Sequence, residues 1–138
     1  MMELQTAVAI PDQFRIMFID DDDSVRESVS EILERKGWQV DAFSNAEGAL
    51  SALRGGQYDC VLADINMPGL SGMNFLHMAR ESAPDVPVVM VTGYPSIDLA
   101  VEAMKIGAVD FLAKPFKTQE LEIIVRKAVS EARVVRVH

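Results

Sequence analysis

Basic residues are in short supply. The chain has 13 Lys and Arg against 21 Asp and Glu, for a formal net charge of −8. Binding to nucleic-acid phosphates needs Lys and Arg, so this segment is not expected to bind nucleic acid nonspecifically. The same deficit argues against docking on an anionic membrane. Cysteine is scarcer still. Cys60 is the only one, which excludes an internal disulfide, and it stands in an apolar run where a small buried thiol is expected. Long hydrophobic stretches are also missing, and no run approaches the ~18–20 residues of a membrane helix. The opening MMELQTAVAIPDQ carries Glu3 early, with no basic segment ahead of a long apolar one; that is not the pattern of a signal peptide. The expectation is a soluble, cytoplasmic protein without a membrane partner. What is present is ample apolar material, 49% of 138 residues, enough for one globular domain with a real core.

The apolar material comes in short alternating segments. Residues 1–13 read as a flexible lead-in, with Pro11 as a breaker. RIMFI (15–19) is apolar on both faces, as a central strand is. Val25, Val29, Ile32 and Leu33 then share a helix face, with Ser24 and Glu27 at capping-box spacing and Gly37 as the stop. WQVDAF (38–43) alternates apolar and polar residues, which suits an edge strand. A second helix carries Ala46, Ala49, Leu50 and Leu53, with Ser44 and Glu47 at its start and Gly55-Gly56 at its end. CVLAD (60–64) is a third strand, followed by the loop INMPGLSG and a helix from near Gly72 with Phe75, Leu76 and Ala79 inward. VPVVMVT (86–92) is the fourth strand. Ser96 is a plausible cap for a helix whose expected inward stripe is Ile97, Ala100, Val101 and Met104, closed by Gly107. AVDFLAK (108–114) is the fifth strand, its Asp110 suggesting an edge. Thr118 is the expected cap of a last helix burying Leu121, Ile124, Val125, Ala128 and Val129.

Strict alternation of strand and helix implies a parallel sheet with helices on both faces. The half-polar second and fifth strands belong at the edges. The predicted fold is therefore α/β, a flavodoxin-like (βα)5 three-layer sandwich with strand order 2-1-3-4-5. In that architecture ligands bind beyond the carboxyl ends of the strands. Strand one ends in Asp20 and Asp21, strand three in Asp64, strand four in Thr92 and strand five in Lys114 followed by Pro115. Each alone has a bland explanation as a cap, a strand end or a surface charge. Their shared rim position does not. Carboxylates crowded this closely need a counter-charge. Mg²⁺ is a hard cation that takes one or two of them. Such a site suits phosphoryl transfer, which asks mainly for positioning and charge stabilisation. A carboxylate relieved of repulsion could itself accept the phosphoryl group as an acyl phosphate.

FIDDDDSVRESV, VLADINMPGLSG, VMVTGYP and AVDFLAKPF together resemble the motifs of the receiver (CheY-like) domain of two-component response regulators, in order and spacing, over residues 14–135. The stretch GYPSIDLAVEAMKIGAVDFLAKPF is especially similar to receivers of the NtrC type, ahead of sigma-54-activating ATPase domains, and of the FixJ/LuxR type, ahead of a DNA-binding domain. The resemblance implies Asp64 as phosphoacceptor and Mg²⁺ (or Mn²⁺) held by Asp20, Asp21, Asp64 and the Asn66 carbonyl. Asp21 would bind the metal directly and Asp20 through a water. It further implies Thr92 and Lys114 as partners of the phosphoryl group, Thr92 and Phe111 as switch residues, and a cis Lys114–Pro115 bond. Asp22 and Asp23 are assigned to solvent and the start of the helix, a water-mediated role for Asp22 staying open. Ser71 stands where Asp is frequent and Gly93 where Ala is. Tyr94 either shields the phosphoryl group or faces solvent.

The implied function is a phosphorylation switch rather than an enzyme, one that catalyses only its own phosphorylation and dephosphorylation. The phosphoryl donor would be a sensor histidine kinase or phosphotransfer protein. The output surface would be the fourth helix, fifth strand and fifth helix, with Lys105 and Asp110 as candidate contacts and homodimerisation as one outcome. DNA would be reached only through an output domain that this sequence does not contain. The receiver either stands alone or belongs to a longer regulator; the resemblance favours the second, with residues 136–138 as an end before a linker and output domain. The competing enzyme reading is a haloacid-dehalogenase-type phosphatase with Asp20 as nucleophile and Asp22 as acid/base; it leaves Asp64 without a task, and no expected strand after Lys114 carries the acidic pair that family needs. A binding module that no longer uses phosphate is disfavoured by the complete reactive set, and flavin binding by the absence of a phosphate-cradling loop.

Overall fold

The computed structural model describes residues 13–137, with side chains through residue 133. The expected lead-in lies almost wholly outside the described residues. Five strands, β1 (Arg15–Ile19), β2 (Gln39–Phe43), β3 (Cys60–Asp64), β4 (Val88–Thr92) and β5 (Asp110–Ala113), alternate with five helices. The helices are α1 (Asp23–Glu34), α2 (Ala46–Gly55), α3 (Gly72–Ser82), α4 (Ile97–Ile106) and α5 (Thr118–Val137). All strand pairs are parallel and the order is β2-β1-β3-β4-β5, as the alternation predicts.

The continuous apolar runs are explained by two cores, one on each face of the sheet. Met17, Ile19, Val61, Ala63, Val88 and Met90 pack against α2 and α3 residues such as Leu50, Leu53, Phe75 and Leu76. The alternate residues Ile16, Phe18, Cys60, Leu62, Val89 and Val91 pack against Val29 and Leu33 of α1 and Leu121 and Val125 of α5. A strand that buries both faces must be apolar at every position. The Cys60 thiol lies in the second core, and burial pushes its pKa up to about 12.

Several local expectations need correction. Ser24 does not cap α1: Asp22 does, its carboxylate accepting from the backbone N–H groups of Ser24 and Val25. Asn45, not Ser44, caps α2. Lys117 precedes the first turn of α5, its N–H bonded to the Glu120 carboxylate, so Thr118 is inside the helix. In the first two cases an Asp or Asn within two residues of the expected Ser takes the position. The alternation of β2 is imperfect, since Ala42 is exposed and Asp41 half-buried, bound by Arg15 and Tyr58. The largest departure is α4. Its expected inward stripe is largely outward: Ile97 is 82% exposed, and Val101 and Met104 are also at the surface. The helix instead turns Ala103 inward, with Ile106 packed against the core. A helix rich in apolar residues offers two stripes, and the sheet takes the one with the smaller residue at its centre.

Main-chain bonds just beyond the strand ends fix the rim. Asp20 N–H donates to the Phe43 carbonyl at 3.1 Å, Ile65 to Val91 at 2.8 Å and Lys114 to Thr92 at 2.8 Å. The β3–α3 loop closes tightly on itself, and Gly72 at the start of α3 makes this possible. A Cβ there would lie 2.3 Å from the Asp64 carbonyl oxygen and 2.5 Å from Ile65 Cα. Both atoms are backbone and cannot swing aside. Gly72→Ala is expected to lower stability by about 1–3 kcal/mol, the usual cost of overpacking. Gly55→Ala, where a Cβ meets nothing within 4 Å, is expected to be neutral or stabilising. Urea unfolding of the two variants checks the contrast; equal midpoints would contradict it.

Candidate functional site

The residues singled out at the strand ends come together. Asp20 follows β1, Asp64 ends β3, Thr92 ends β4 and Lys114 follows β5. Lys114 Nζ donates to Asp20 Oδ2 at 2.6 Å and to Asp64 Oδ2 at 2.8 Å. One ammonium thus joins carboxylates from two strands. Carboxylate oxygens of Asp20, Asp21 and Asp64 lie within 4.8 Å of one another. Asp20 is 1% exposed, Asp64 5% and Thr92 0%, and these are the buried polar residues among those described. Asp21 is exposed, so the cluster has a wet side.

Each group is held by a local bond. Asp20 Oδ1 accepts from the Asp22 N–H at 2.9 Å. Asp64 Oδ1 accepts from the Asn66 N–H at 2.9 Å. Thr92 Oγ1 accepts from Asn66 Nδ2 at 3.3 Å and from the Tyr94 N–H at 3.0 Å. The Lys114–Pro115 bond is cis. Phe111 lies in β5 opposite Met90, half-buried against the core. Asp23 remains exposed at the first turn of α1, and Asp22 serves as its cap.

The electrostatics are those of a strained balance. Burial pushes the Asp64 carboxyl above the usual carboxylate range, and the Asp20 charge adds to this; the Lys114 and Asn66 N–H bonds pull the other way without cancelling it. Burial also works against the Lys114 ammonium, but its bonds to Asp20 and Asp64 outweigh that and raise its pKa. Three carboxylates against one ammonium leave an excess of negative charge. Hard oxygen donors grouped around such an excess fit a small divalent cation.

A cavity of about 790 Å³ opens over the cluster. Asp20, Asp21, Asp64, Asn66 and Lys114 line one part of it, and Val25, Ile32, Pro115 and Phe116 extend it between α1 and the β5–α5 loop. The model of the response regulator receiver domain matches residues 16–126, which contain every one of these groups. The chain belongs to the response regulator receiver domain family.

Curated relatives agree. The receiver is 40% identical over 117 residues to the transcriptional regulatory protein FixJ of Bradyrhizobium diazoefficiens, covering 85% of this chain and 57% of that protein. It is 37% identical over 120 residues to the C4-dicarboxylate transport transcriptional regulatory protein DctD of Rhizobium meliloti, covering 87% of this chain and 26% of that one. The chain thus spans about half the length of the first and a quarter of the second. Among solved structures, the beryllofluoride-activated NtrC4 receiver domain dimer superposes with a TM-score of 0.82 at 33% identity, covering 86% of this chain and 98% of that one. No helix among the described residues is long and apolar enough to cross a membrane.

Sequence reasoning missed Arg26, which reaches back from α1 to donate from Nη1 to the Asp20 carbonyl at 2.7 Å and also pairs with Asp23. It also missed Phe116 on the cavity wall. No spacing rule marks a long side chain that folds back onto a main-chain carbonyl. Tyr94, at 81% exposure, faces solvent at the cavity's edge.

The raised Asp64 pKa gives a prediction for the metal-free receiver. A carboxyl whose folded pKa lies above its unfolded value costs stability when ionised, and the cost disappears once pH falls below the unfolded value. Asp64→Asn removes the charge and keeps the shape. In chelator-treated protein the variant is expected to melt above the parent near neutral pH, with the gap closing as pH falls toward about 4. Thermal melts across that range check it. A variant less stable than the parent at neutral pH would contradict the burial argument.

Proposed function

We propose that residues 14–135 form a phosphorylation switch in which Asp64 accepts a phosphoryl group from a partner histidine kinase or phosphotransfer protein. The observation that carries this reading is the single ammonium of Lys114 joined to both Asp20 and Asp64, at the edge of an acidic cluster open to solvent. Asp64 is the acceptor; Asp20, Asp21, Asp64 and the Asn66 carbonyl would hold Mg²⁺ or Mn²⁺. Bound there, the ion supplies neutralisation of negative charge on the carboxylates and on the phosphoryl oxygens. An Asp64 carboxylate oxygen attacks phosphorus, and the P–N bond of the donor phosphohistidine breaks. The bonding electron pair returns to the imidazole nitrogen, which then takes a proton. Lys114 and the Thr92 hydroxyl face phosphoryl oxygens and stabilise their charge. Water attack on the resulting acyl phosphate resets the domain.

The new charge draws Thr92 toward it, Phe111 follows, and the α4-β5-α5 surface changes its partner preference. Ile97, Val101 and Met104 lie exposed on α4. Covering a side chain of this size stabilises by about 1.5–3 kcal/mol, so the face favours an apolar partner, and a second receiver is a natural one given the activated NtrC4 receiver dimer. The relatives support transcription control as the output, exerted through a further domain, and a cytoplasmic location. The phosphatase reading with Asp20 as nucleophile is disfavoured because it gives no task to the buried Asp64, which the same Lys114 ammonium holds beside Asp20.

With acetyl phosphate and Mg²⁺, the parent is expected to gain one phosphoryl group by intact mass, mapped to Asp64, and to shift toward dimer on a sizing column. Asp64→Asn is expected to gain none, and Val101→Glu to be labelled while remaining monomeric. Labelling of Asp64→Asn equal to the parent would overturn the assignment; label on Asp20 would favour the phosphatase.

A further inference from the structure

The Thr92 hydroxyl is already occupied. A hydroxyl oxygen offers two acceptor sites, and here both are taken, by Asn66 Nδ2 at 3.3 Å and by the Tyr94 N–H at 3.0 Å. The residue is wholly buried, so water does not compete for the oxygen. The bond to Tyr94 is local, spanning two residues of the same loop, and travels with Thr92. The bond to Asn66 is different. It spans the β3–α3 and β4–α4 loops, and Asn66 is itself anchored to Asp64 through its own N–H at 2.9 Å. One residue therefore holds the acceptor carboxylate with its main chain and the switch hydroxyl with its side chain.

We propose that the Asn66 side-chain amide is a latch that holds Thr92 in the resting position, making Asn66 a positioning residue for the switch. This rests on the reading of Asp64 as phosphoacceptor and Thr92 as the residue that moves. If Thr92 shifts toward a phosphoryl group, the Asn66 amide must be left behind or turn with it. Asn66 is exposed at the rim, so its released amide passes to water at little cost. The latch thus favours the resting state without blocking the active one. The released segment, Gly93 to Pro95, leads directly to Ser96, the cap of α4, whose side chain accepts from the Leu99 N–H. The exposed apolar residues of α4 begin at Ile97, directly after that cap, and continue with Val101 and Met104 over the next two turns.

A ligand that binds only the active arrangement has its apparent affinity reduced by the fraction of protein in that arrangement. Removing one neutral, partly exposed hydrogen bond that favours rest shifts such an equilibrium by about two- to fivefold. The test uses the whole chain, with beryllofluoride at fixed Mg²⁺ as the probe and the amide signals of α4 as the readout. Asn66→Ala is expected to lower the apparent dissociation constant about two- to fivefold. In a Thr92→Ala background, where the hydroxyl is gone, adding Asn66→Ala is expected to change nothing. In the unliganded protein, Asn66→Ala is expected to broaden the Thr92 χ1 distribution seen in side-chain couplings, and this measurement decides if Thr92→Ala binds too weakly to titrate. Unchanged or weaker binding in Asn66→Ala overturns the latch. The same tightening with and without the Thr92 hydroxyl also overturns it, since Asn66 would then act on the ligand directly. A parent that does not respond to beryllofluoride and Mg²⁺ at all fails a different test: the phospho-switch reading falls first and the latch with it.

Discussion

Everything at the rim depends on one ammonium shared between two buried carboxylates. Lys114 comes from the far end of the sequence and reaches past the end of β4 to touch Asp20 and Asp64 together, at 2.6 and 2.8 Å. Remove it and two acids face each other in a place that is nearly closed to water. Keep it and Asp20 and Asp64 are still one charge short of balance, and Asp21 adds a further uncompensated carboxylate on the open side. The fold therefore holds an excess of negative charge beside one ammonium, an arrangement that a bound cation would relieve. Asp64 expresses this in its raised pKa, set by burial that Lys114 only partly offsets.

The sheet is what makes such a cluster affordable. Its central strands bury apolar side chains on both faces, so the strand ends are rigid and their positions are set by register. Thr92 lies opposite Ala113, the residue before Lys114, and Asp64 lies opposite Val91, the residue before Thr92. A shift of one residue in either pair would turn the rim side chain toward a core. Gly72 allows α3 to start directly against the Asp64 carbonyl, and Arg26 ties the Asp20 carbonyl to α1. The site is thus supported from below by strands and from the sides by two helices.

Much of this was legible from residue order. Runs apolar at successive positions, as in the CVLA of β3, mark central strands in an alternating chain, and the half-polar WQVDAF and AVDFLAK fit edges. With the order set, the acids at the ends of β1 and β3 and the lysine after β5 had to share a rim. The failures have physical causes as well. Asp22 and Asn45 each stand close to a serine, and both residue types cap helices well, so spacing could not choose between them. The helix IDLAVEAMKI carries apolar residues on two sides, and only packing against the sheet decides that Ala103 faces in and Ile97 faces out. Arg26 and Phe116 reach the site by the length and direction of their side chains, which no pattern of types records. The Asn66–Thr92 bond joins two loops whose contact exists only after folding.

The central claim is that Lys114 holds the Asp64 charge in place against burial and against Asp20. It is tested most directly by following the Asp64 side-chain carboxyl carbon by NMR as pH is varied, in metal-free parent and in Lys114→Met. The account predicts that Asp64 titrates above the ordinary carboxylate range in the parent and higher still in the variant. The same titration in both proteins, or a lower one without the lysine, would contradict it.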